Sequence, residues 1–312
     1  MELRKVYAET MAELMKKNDK IVILDADLSK AGGTAPLYKA FPDRTYDVGI
    51  CESNMTSMAA GLSAYGFIPV IHSFAPFVTR RNFDQIAVSV SYARRNVKII
   101  GLDPGITATL NGGTHMCFED IASLRSLPNV LIFDAVDGVQ LKKALPKLME
   151  HDGPTYIRLF RKDGTEFFEA DNYNFELFKA DKLTEGNDVT IVAEGMLTVD
   201  AMRAVNELTK SGIDAELISV HTIKPLDEQT ILQSARKTRA VLTVENGSVH
   251  GGLYGAVTEL LSRECPTLCD AIAVYDIDGQ VGELDELKGF YHMTTEDIVA
   301  KAKSLATKKS HR

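Results

Sequence analysis

Short apolar runs alternate with helix-like segments along this chain, and this alternation limits the folds that it can adopt. In the first half the runs have the length of buried strands and cover residues 21–24, 67–71, 97–102, 130–133 and 156–161. Runs that are almost wholly apolar are typical of strands buried on both faces of a parallel sheet. The alternation therefore predicts an α/β fold, with a mainly parallel sheet and helices on both of its faces.

A second α/β unit begins near residue 188, where strand-like runs return at 189–193, 215–220, 240–246 and 271–275. Between the two units the chain is polar, carries aromatic residues and shows little periodicity, which favours a surface linker. A length of 312 residues also fits about two domains. We predict a first domain over residues 1–165, a linker over 166–187 and a smaller α/β domain over 188–312.

Composition narrows the classes of function. The formal net charge of −8 argues against nucleic acid or an anionic membrane as the main partner. No apolar run approaches the ~20 residues of a membrane-spanning helix, and the N-terminal residues form a charged amphipathic pattern rather than a signal peptide. The 4 cysteines lack the spacing of a zinc site. These features predict a cytoplasmic protein without a metal site of its own.

Several polar residues stand where ligands commonly bind. Glu52 is the acidic residue in a nearly uncharged run, between a strand-like and a helix-like stretch. It either lies in the first turn of its helix as a favourable charge or acts as a buried functional carboxylate, which needs a partner. Asp25 follows a strand, at the edge where parallel sheets bind ligands. His115 lies in a glycine-rich loop, where ligand contact is common.

Aromatic residues follow the run at 67–71. Phe74, Phe77 and Phe83 either belong to the core or form a wall against a flat ligand. The turn at 251–252 is interpreted as tight helix packing, because a full phosphate-binding spacing is missing, as are GxSxG and HExxH motifs. The residues alone indicate a two-domain α/β enzyme with a carboxylate, aromatic rings and a histidine near one crevice.

The run GICESNM at residues 49–55 resembles the GIAEQNM run of thiamine-diphosphate enzymes of the transketolase class. Further segments with counterparts in that family follow in the same order at 25–29, 73–77, 83–86, 105–107, 112–115, 119–122 and 221–227. The resemblance implies the C-terminal half of a transketolase. Residues 1–165 would be the pyrimidine-binding domain and residues 188–312 the transketolase C-terminal domain.

The family's Gly-Asp-Gly to Asn motif, which binds magnesium and the diphosphate, has no counterpart here. The resemblance therefore implies a split enzyme, in which a separate N-terminal subunit supplies Mg²⁺ and the diphosphate site. Thiamine diphosphate would lie between the chains of an α2β2 heterotetramer. The implied activity is the transfer of a two-carbon ketol unit from a ketose, such as a sugar phosphate, to an aldose acceptor.

The resemblance also implies roles for individual residues. Glu52 matches the glutamate that exchanges a proton with the pyrimidine ring of the cofactor, which is general acid–base work. Phe77 matches the aromatic residue that stacks on that ring, with Phe74 and Ile50 beside it. His115 matches a histidine near the reacting carbons.

At the substrate end, Arg161 matches an arginine that holds the phosphate of a sugar phosphate, but other positions depart from the family. Asp103 stands where a histidine commonly contacts the phosphate, and Asn111 where an aspartate bonds a donor hydroxyl. The remaining departures are Asp25 in place of a serine, Met116 in place of a glutamine and Arg80 in place of a small residue.

An aspartate at position 103 would repel a phosphate, so these departures predict a different donor. A sulfo-ketose and a branched ketose phosphate both fit, with Arg80 compensating for the changes. The alternative is sequence drift around the usual phosphosugars.

Rival functions remain open. The β subunit of a 2-oxoacid dehydrogenase has the same two domains, although the runs at 112–115 and 222–227 favour transketolase. The others are acyl transfer of the deoxyxylulose-phosphate-synthase type and a catalytically silent regulatory paralogue. Retention of Glu52, Phe77 and His115 weighs against the silent paralogue.

Overall fold

The computed structural model describes residues 2–162 and 164–310, without the side chain of residue 310. The predicted outer limits at residues 1 and 312 lie outside this part of the chain. The strands are β1 (Ile21–Asp25), β2 (Thr45–Asp47), β3 (Ile68–Phe74), β4 (Lys98–Leu102), β5 (Leu131–Asp134), β6 (Thr155–Leu159), β7 (Asp181–Thr184), β8 (Val189–Ala193), β9 (Ala215–Ser219), β10 (Thr222–Lys224), β11 (Ala240–Ser248) and β12 (Leu268–Val274).

The helices are α1 (Leu3–Lys17), α2 (Ser29–Gly32), α3 (Ala35–Ala40), α4 (Glu52–Ala64), α5 (Ala75–Val78), α6 (Phe83–Gln85), α7 (Asp120–Arg125), α8 (Gly138–Glu150), α9 (Leu197–Lys210), α10 (Glu228–Thr238), α11 (Leu253–Glu264), α12 (Leu284–Phe290) and α13 (Thr295–Ser310). Segments of 3-10 helix cover Pro42–Arg44, Arg80–Asn82 and Gly105–Asn111, and a π-helix covers Ile86–Tyr92. Within the described ranges, no helix is long and apolar enough to cross a membrane.

The first sheet has seven strands in the order β10-β5-β6-β4-β3-β1-β2. All of its pairs are parallel except β10 with β5, at one edge. Strand β1 alternates between the two faces: Ile23 packs in one cluster with Met11 of α1, and Leu24 in another with Met55 of α4. The predicted parallel sheet with helices on both faces is thus confirmed, and an antiparallel edge strand is common in such sheets.

The second sheet has five strands in the order β12-β11-β8-β9-β7. Its pairs are parallel except β7 with β9, again at an edge. Helices α9 and α13 pack on one face and α10 and α11 on the other. Asp227 caps α10 by accepting a hydrogen bond from the backbone N–H of Thr230 at 3.2 Å, since a carboxylate satisfies a free amide of the first turn.

Two segments differ from the sequence-based expectation. Strand β10 lies within the predicted second domain but pairs with β5 of the first sheet. The predicted linker, 166–187, contains β7, and its Phe175 is buried against Phe133 with ring centroids 6.0 Å apart. Burial of this aromatic ring holds the segment against the first sheet, because its apolar area is removed from water.

Arg158 of β6 joins the two sheets and is wholly buried. Its guanidinium donates to the carboxylates of Asp120 and Asp134 at 2.8 Å and of Glu194, beyond β8, at 3.2 Å. It also donates to the backbone carbonyl of Asn246 in β11 at 2.7 Å. One cation therefore satisfies acceptors on both sheets, and burial, which outweighs Arg158, raises the pKa of Asp134 to about 6.

We expect Arg158→Met to lower the free energy of unfolding by about 3–5 kcal/mol, because it leaves buried carboxylates without their cation. Urea unfolding at neutral pH measures this loss. The matched control is Arg203→Met on α9, whose arginine is mostly exposed and pairs with Asp200 at 3.4 Å. The control should change stability by less than about 0.5 kcal/mol. Equal losses in both variants would show that the buried cluster contributes no more to stability than an exposed ion pair does.

Candidate active site

The carboxyl edge of the first sheet gathers most of the predicted site residues. Asp25 ends β1, Phe74 ends β3, Asp103 follows β4 and Arg161 lies beyond β6. These four strands are neighbours in the sheet order β6-β4-β3-β1. Parallel α/β sheets bind their ligands at this edge, and the shared location follows from strand direction alone.

Glu52 is the first residue of α4 and is only 3% exposed. The hydroxyl of Ser73 donates to its Oε1 at 3.2 Å, and Arg81 donates to its Oε2 at 2.8 Å. Its position in the first turn also favours a negative charge, because the helix N-terminus carries partial positive charge. Glu52 therefore lies in the first turn of its helix and is also a buried carboxylate with polar partners, while its functional role stays a prediction.

Three rings beside Glu52 form what we call the aromatic wall: Phe74, Phe77 and His115. The ring centroids lie 6.0 Å apart for Phe74 and Phe77, and each phenyl centroid lies 5.3 Å from that of His115. All three contacts are edge-to-face, which is a favourable geometry for aromatic pairs. The guanidinium of Arg81 stacks 3.9 Å from the Phe77 centroid and so links the wall to Glu52. Phe83, by contrast, packs in the core.

Asp103 and Arg161 form a tight ion pair at the same edge. The guanidinium approaches Oδ2 of Asp103 at 2.6 Å through Nε and at 2.5 Å through a terminal nitrogen. The backbone N–H of Arg161 donates to Oδ1 at 3.0 Å. The guanidinium also lies 4.7 Å from the Phe74 centroid, which places the pair against the aromatic wall.

Asp25 is fully buried and accepts hydrogen bonds on Oδ2 from the hydroxyls of Thr34 at 2.7 Å and Tyr38 at 3.1 Å. Its Oδ1 has no hydrogen-bond partner among the residues that the structure describes. Burial raises the pKa of Asp25, although His72 and these hydroxyls oppose the rise. Asp25 thus lies at the predicted edge, but in the part of the chain that the structure describes it forms no hydrogen bond with the aromatic wall.

Three predicted site residues lie apart from this cluster. Arg80 pairs with Glu119 at 2.8 Å on the surface, so its charge is already compensated. Asn111 is exposed at the end of its 3-10 segment, and in the described part of the chain its side chain makes no hydrogen bond. The side chain of Ile50 is 70% exposed. Among the described residues, none of these three side chains forms a hydrogen bond or ion pair with Glu52.

Asn246, on β11 of the second sheet, anchors the loop that follows Asp103. Its Oδ1 accepts from the backbone N–H of Ile106 at 2.9 Å, and its Nδ2 donates to the carbonyl of Pro104 at 3.0 Å. Gly105 has φ +59°, and a Cβ there would lie 2.2 Å from Asn246 Oδ1, so only glycine fits. This contact has no local signal in the sequence, because 140 positions separate the two partners.

The glycine turn before α11 binds a carboxylate of this chain itself. The backbone N–H groups of Leu253 and Tyr254 donate to Glu245 at 2.7 and 2.8 Å. A Cβ at Gly252 would lie 2.0 Å from Glu245 Oε2. A carboxylate of the same chain therefore occupies the N-terminus of α11, which agrees with the prediction that this turn has a structural use. In residues 2–162 and 164–310, no group of three or more His, Cys, Asp or Glu could hold a metal ion.

Comparisons with known families match both halves of the chain. Residues 1–165 match the model for the transketolase pyrimidine-binding domain, and residues 178–298 match that for the transketolase C-terminal domain.

Relatives are similar over nearly their whole length. A protein of Clostridium sp. strain MSTE9, named 6-deoxy-6-sulfo-D-fructose transketolase subunit SqwH, is 46% identical over 99% of this chain and 96% of its own. A putative transketolase C-terminal section of Methanocaldococcus jannaschii is 39% identical over 95% and 93%. The solved structure of a split-gene transketolase, an inactive β4 tetramer, superposes with a TM-score of 0.90 at 40% identity, over 98% of this chain and 99% of that one.

We expect Asn246→Ala to release the loop after Asp103 and to lower the free energy of unfolding by about 1–3 kcal/mol, because Ile106 N–H loses its acceptor in a buried place. Urea unfolding and hydrogen exchange at the Ile106 amide measure both effects. Asn172→Ala is the control, since that exposed asparagine only donates to Glu169 at 2.8 Å. Unchanged exchange at Ile106 would contradict the anchoring role.

Proposed function

The chain belongs to the transketolase family and is a transketolase subunit with the pyrimidine-binding and C-terminal domains of that family, and we propose how its own residues serve ketol transfer. The observation that carries the proposal is Glu52, a buried carboxylate beside the aromatic wall at the ligand edge of the sheet.

Membership of this family implies dependence on thiamine diphosphate. The residues present fit its pyrimidine end, because Glu52 offers a carboxylate in a dry setting and Phe77, half-buried, offers a ring face beside it. When bound, thiamine diphosphate supplies the carbon nucleophile that takes up the two-carbon unit. Glu52 would hold a proton against a ring nitrogen, with Ser73 fixing the carboxylate. Phe74 supports Phe77 from the side, and Ile50 stays a predicted cofactor contact.

The diphosphate and Mg²⁺ would be held by a partner, an N-terminal transketolase subunit. Supporting this, the backbone N–H groups at the start of α11, which suit an anion, are already occupied by Glu245 of this chain. A solved relative is a split-gene β4 tetramer that is inactive, which is consistent with a need for a second subunit. The predicted assembly is an α2β2 heterotetramer, and the predicted location is the cytoplasm.

The donor is proposed to be a ketose with an anionic end, and specifically a 6-sulfo-ketose. The name of the 46% identical relative includes 6-deoxy-6-sulfo-D-fructose. In this chain Asp103 lies against Arg161, the residue predicted to hold a phosphate. His115 would contact the donor at the aromatic wall, and Asp25 would line the same edge. Arg80 and Asn111 stay predicted substrate residues, and among the described residues neither side chain forms a hydrogen bond with Asp103, Arg161 or His115.

We expect the chain to show no ketol transfer alone and to gain it on mixing with an N-terminal transketolase subunit of the same organism. The assay follows aldose formation from 6-deoxy-6-sulfofructose with thiamine diphosphate and Mg²⁺ present. Isothermal titration of the cofactor into each chain and into the mixture shows which one binds it. Decarboxylation of pyruvate instead of ketol transfer would indicate the 2-oxoacid dehydrogenase function.

We expect Glu52→Gln to lower kcat of the mixed enzyme by at least about a hundredfold, because an amide cannot exchange the proton that a carboxylate does. Light scattering of the mixture should show unchanged assembly. Glu207→Gln, on the exposed face of α9, is the control and should keep full activity. Full activity of the Glu52→Gln variant would contradict the proposal that Glu52 exchanges a proton with the cofactor.

A further inference from the structure

The arginines around the crevice are each paired with a carboxylate. Arg161 pairs with Asp103 at 2.5 Å and Arg81 with Glu52 at 2.8 Å. Beyond them, Arg80 pairs with Glu119 at 2.8 Å, and Arg4, which shares the Ala31 carbonyl with Arg161, pairs with Glu2 at 3.0 Å. The guanidinium groups of this region therefore carry little uncompensated positive charge.

Two of these ion pairs contain a predicted substrate residue, namely Asp103–Arg161 and Arg80–Glu119. The Asp103–Arg161 pair is the less exposed to water of the two. The side chain of Asp103 is 1% exposed and that of Arg161 is 14% exposed. Asp103 is also fixed by the backbone N–H of Arg161, so its carboxylate cannot swing away from the pair. In so dry a place a charge acts strongly on its neighbours. Arg161 can still donate hydrogen bonds to a substrate, but the Asp103–Arg161 pair as a whole carries no net charge.

Lys162 is the next cation along the chain. Its ammonium donates to the hydroxyl of Thr109 at 3.0 Å, in the loop that follows Asp103. Within the described residues it has no carboxylate partner, and its side chain is exposed. A terminal group at this edge can therefore meet the ammonium of Lys162, which is held against the loop that follows Asp103.

We infer that Asp103 is a specificity-determining residue that admits a donor whose terminal group carries one negative charge and disfavours a second charge. This rests on the proposed ketol transfer and concerns the charge of the donor's far end. A sulfonate carries one negative charge throughout the working pH range. A phosphate monoester carries about −1.5 to −2 at pH 7, with a second pKa near 6. The second charge meets Asp103, and Arg161, already paired with Asp103, adds no net charge that would balance it.

The first test uses the unmodified enzyme mixed with its N-terminal subunit. It compares kcat/KM for 6-deoxy-6-sulfofructose and for fructose 6-phosphate between pH 8 and pH 5.5. The ratio of phosphate to sulfonate donor should rise at least about tenfold as the pH falls through about 6, because the phosphate then becomes a monoanion. The other charged or titratable groups of this region are His115, Lys162, the Arg4–Glu2 pair and the Arg81–Glu52 pair, and comparison with a variant at Asp103 separates their effect from that of Asp103.

The second test is Asp103→Asn, which keeps an oxygen for the Arg161 N–H and removes the charge. The preference for sulfonate over phosphate at pH 8 should fall about tenfold or more, as for one charge removed from a partly buried site. The pH dependence of the ratio should flatten with it. Asp171→Asn, at an exposed turn, is the control and should leave both the preference and its pH dependence unchanged.

The outcomes distinguish charge selection by Asp103 from the proposed transketolase function. Transfer from both donors, with a ratio that neither pH nor Asp103→Asn changes, would overturn the charge selection and leave the transketolase function standing. Transfer from neither donor would overturn both. If Asp103→Asn fails to fold, a donor ratio that does not change with pH in the unmodified enzyme would still overturn the charge selection.

Discussion

The buried cluster around Arg158 is the interaction on which the rest of the structure depends. A single guanidinium, wholly out of water, holds Asp120 and Asp134 of the first half and Glu194 and the Asn246 carbonyl of the second. Burial raises the pKa of Glu194 well above its usual range even though Arg158 opposes this. Carboxylates in such numbers tolerate burial only around that cation, so the two sheets are held in one relative position.

That fixed position explains why a second sheet matters to a site built on the first. Glu52, Phe77 and Asp103 all come from the first sheet and its helices. The loop after Asp103, however, is tied to Asn246 of β11, whose own carbonyl accepts from Arg158. A Cβ at Gly113 of the same loop would lie 2.6 Å from the Gly279 carbonyl. The second sheet thus sets the loop that bears His115, and it acts on the site without supplying a reacting group.

The fold could be predicted from the sequence because its signals are local. The charged amphipathic pattern at the N-terminus corresponds to α1, and each apolar run of the first half corresponds to a strand within a few positions. Strand β3 runs on to Phe74, past the predicted end, because β4 pairs with it as far as Leu102. The contacts of Arg158, Asn246 and Phe175 had no local signal, since their partners are distant in sequence. Glu52 was recognisable from its run, whereas its partner Arg81 became evident only in three dimensions.

Glu52 and Asp103 are both buried carboxylates paired with an arginine, yet the two pairs differ in a way that matters for chemistry. Arg81 is 42% exposed and stacks on Phe77, so part of its guanidinium reaches water. The side chain of Arg161 is only 14% exposed, stacks on Phe74 and is tied to Asp103 through its own backbone. Separating either pair would leave a carboxylate buried and unpaired, so a ligand that displaces an arginine must offer a polar group in exchange. The pair at Glu52, proposed to face the cofactor, is open to water on one side, whereas the pair at Asp103, proposed to face the substrate, is enclosed.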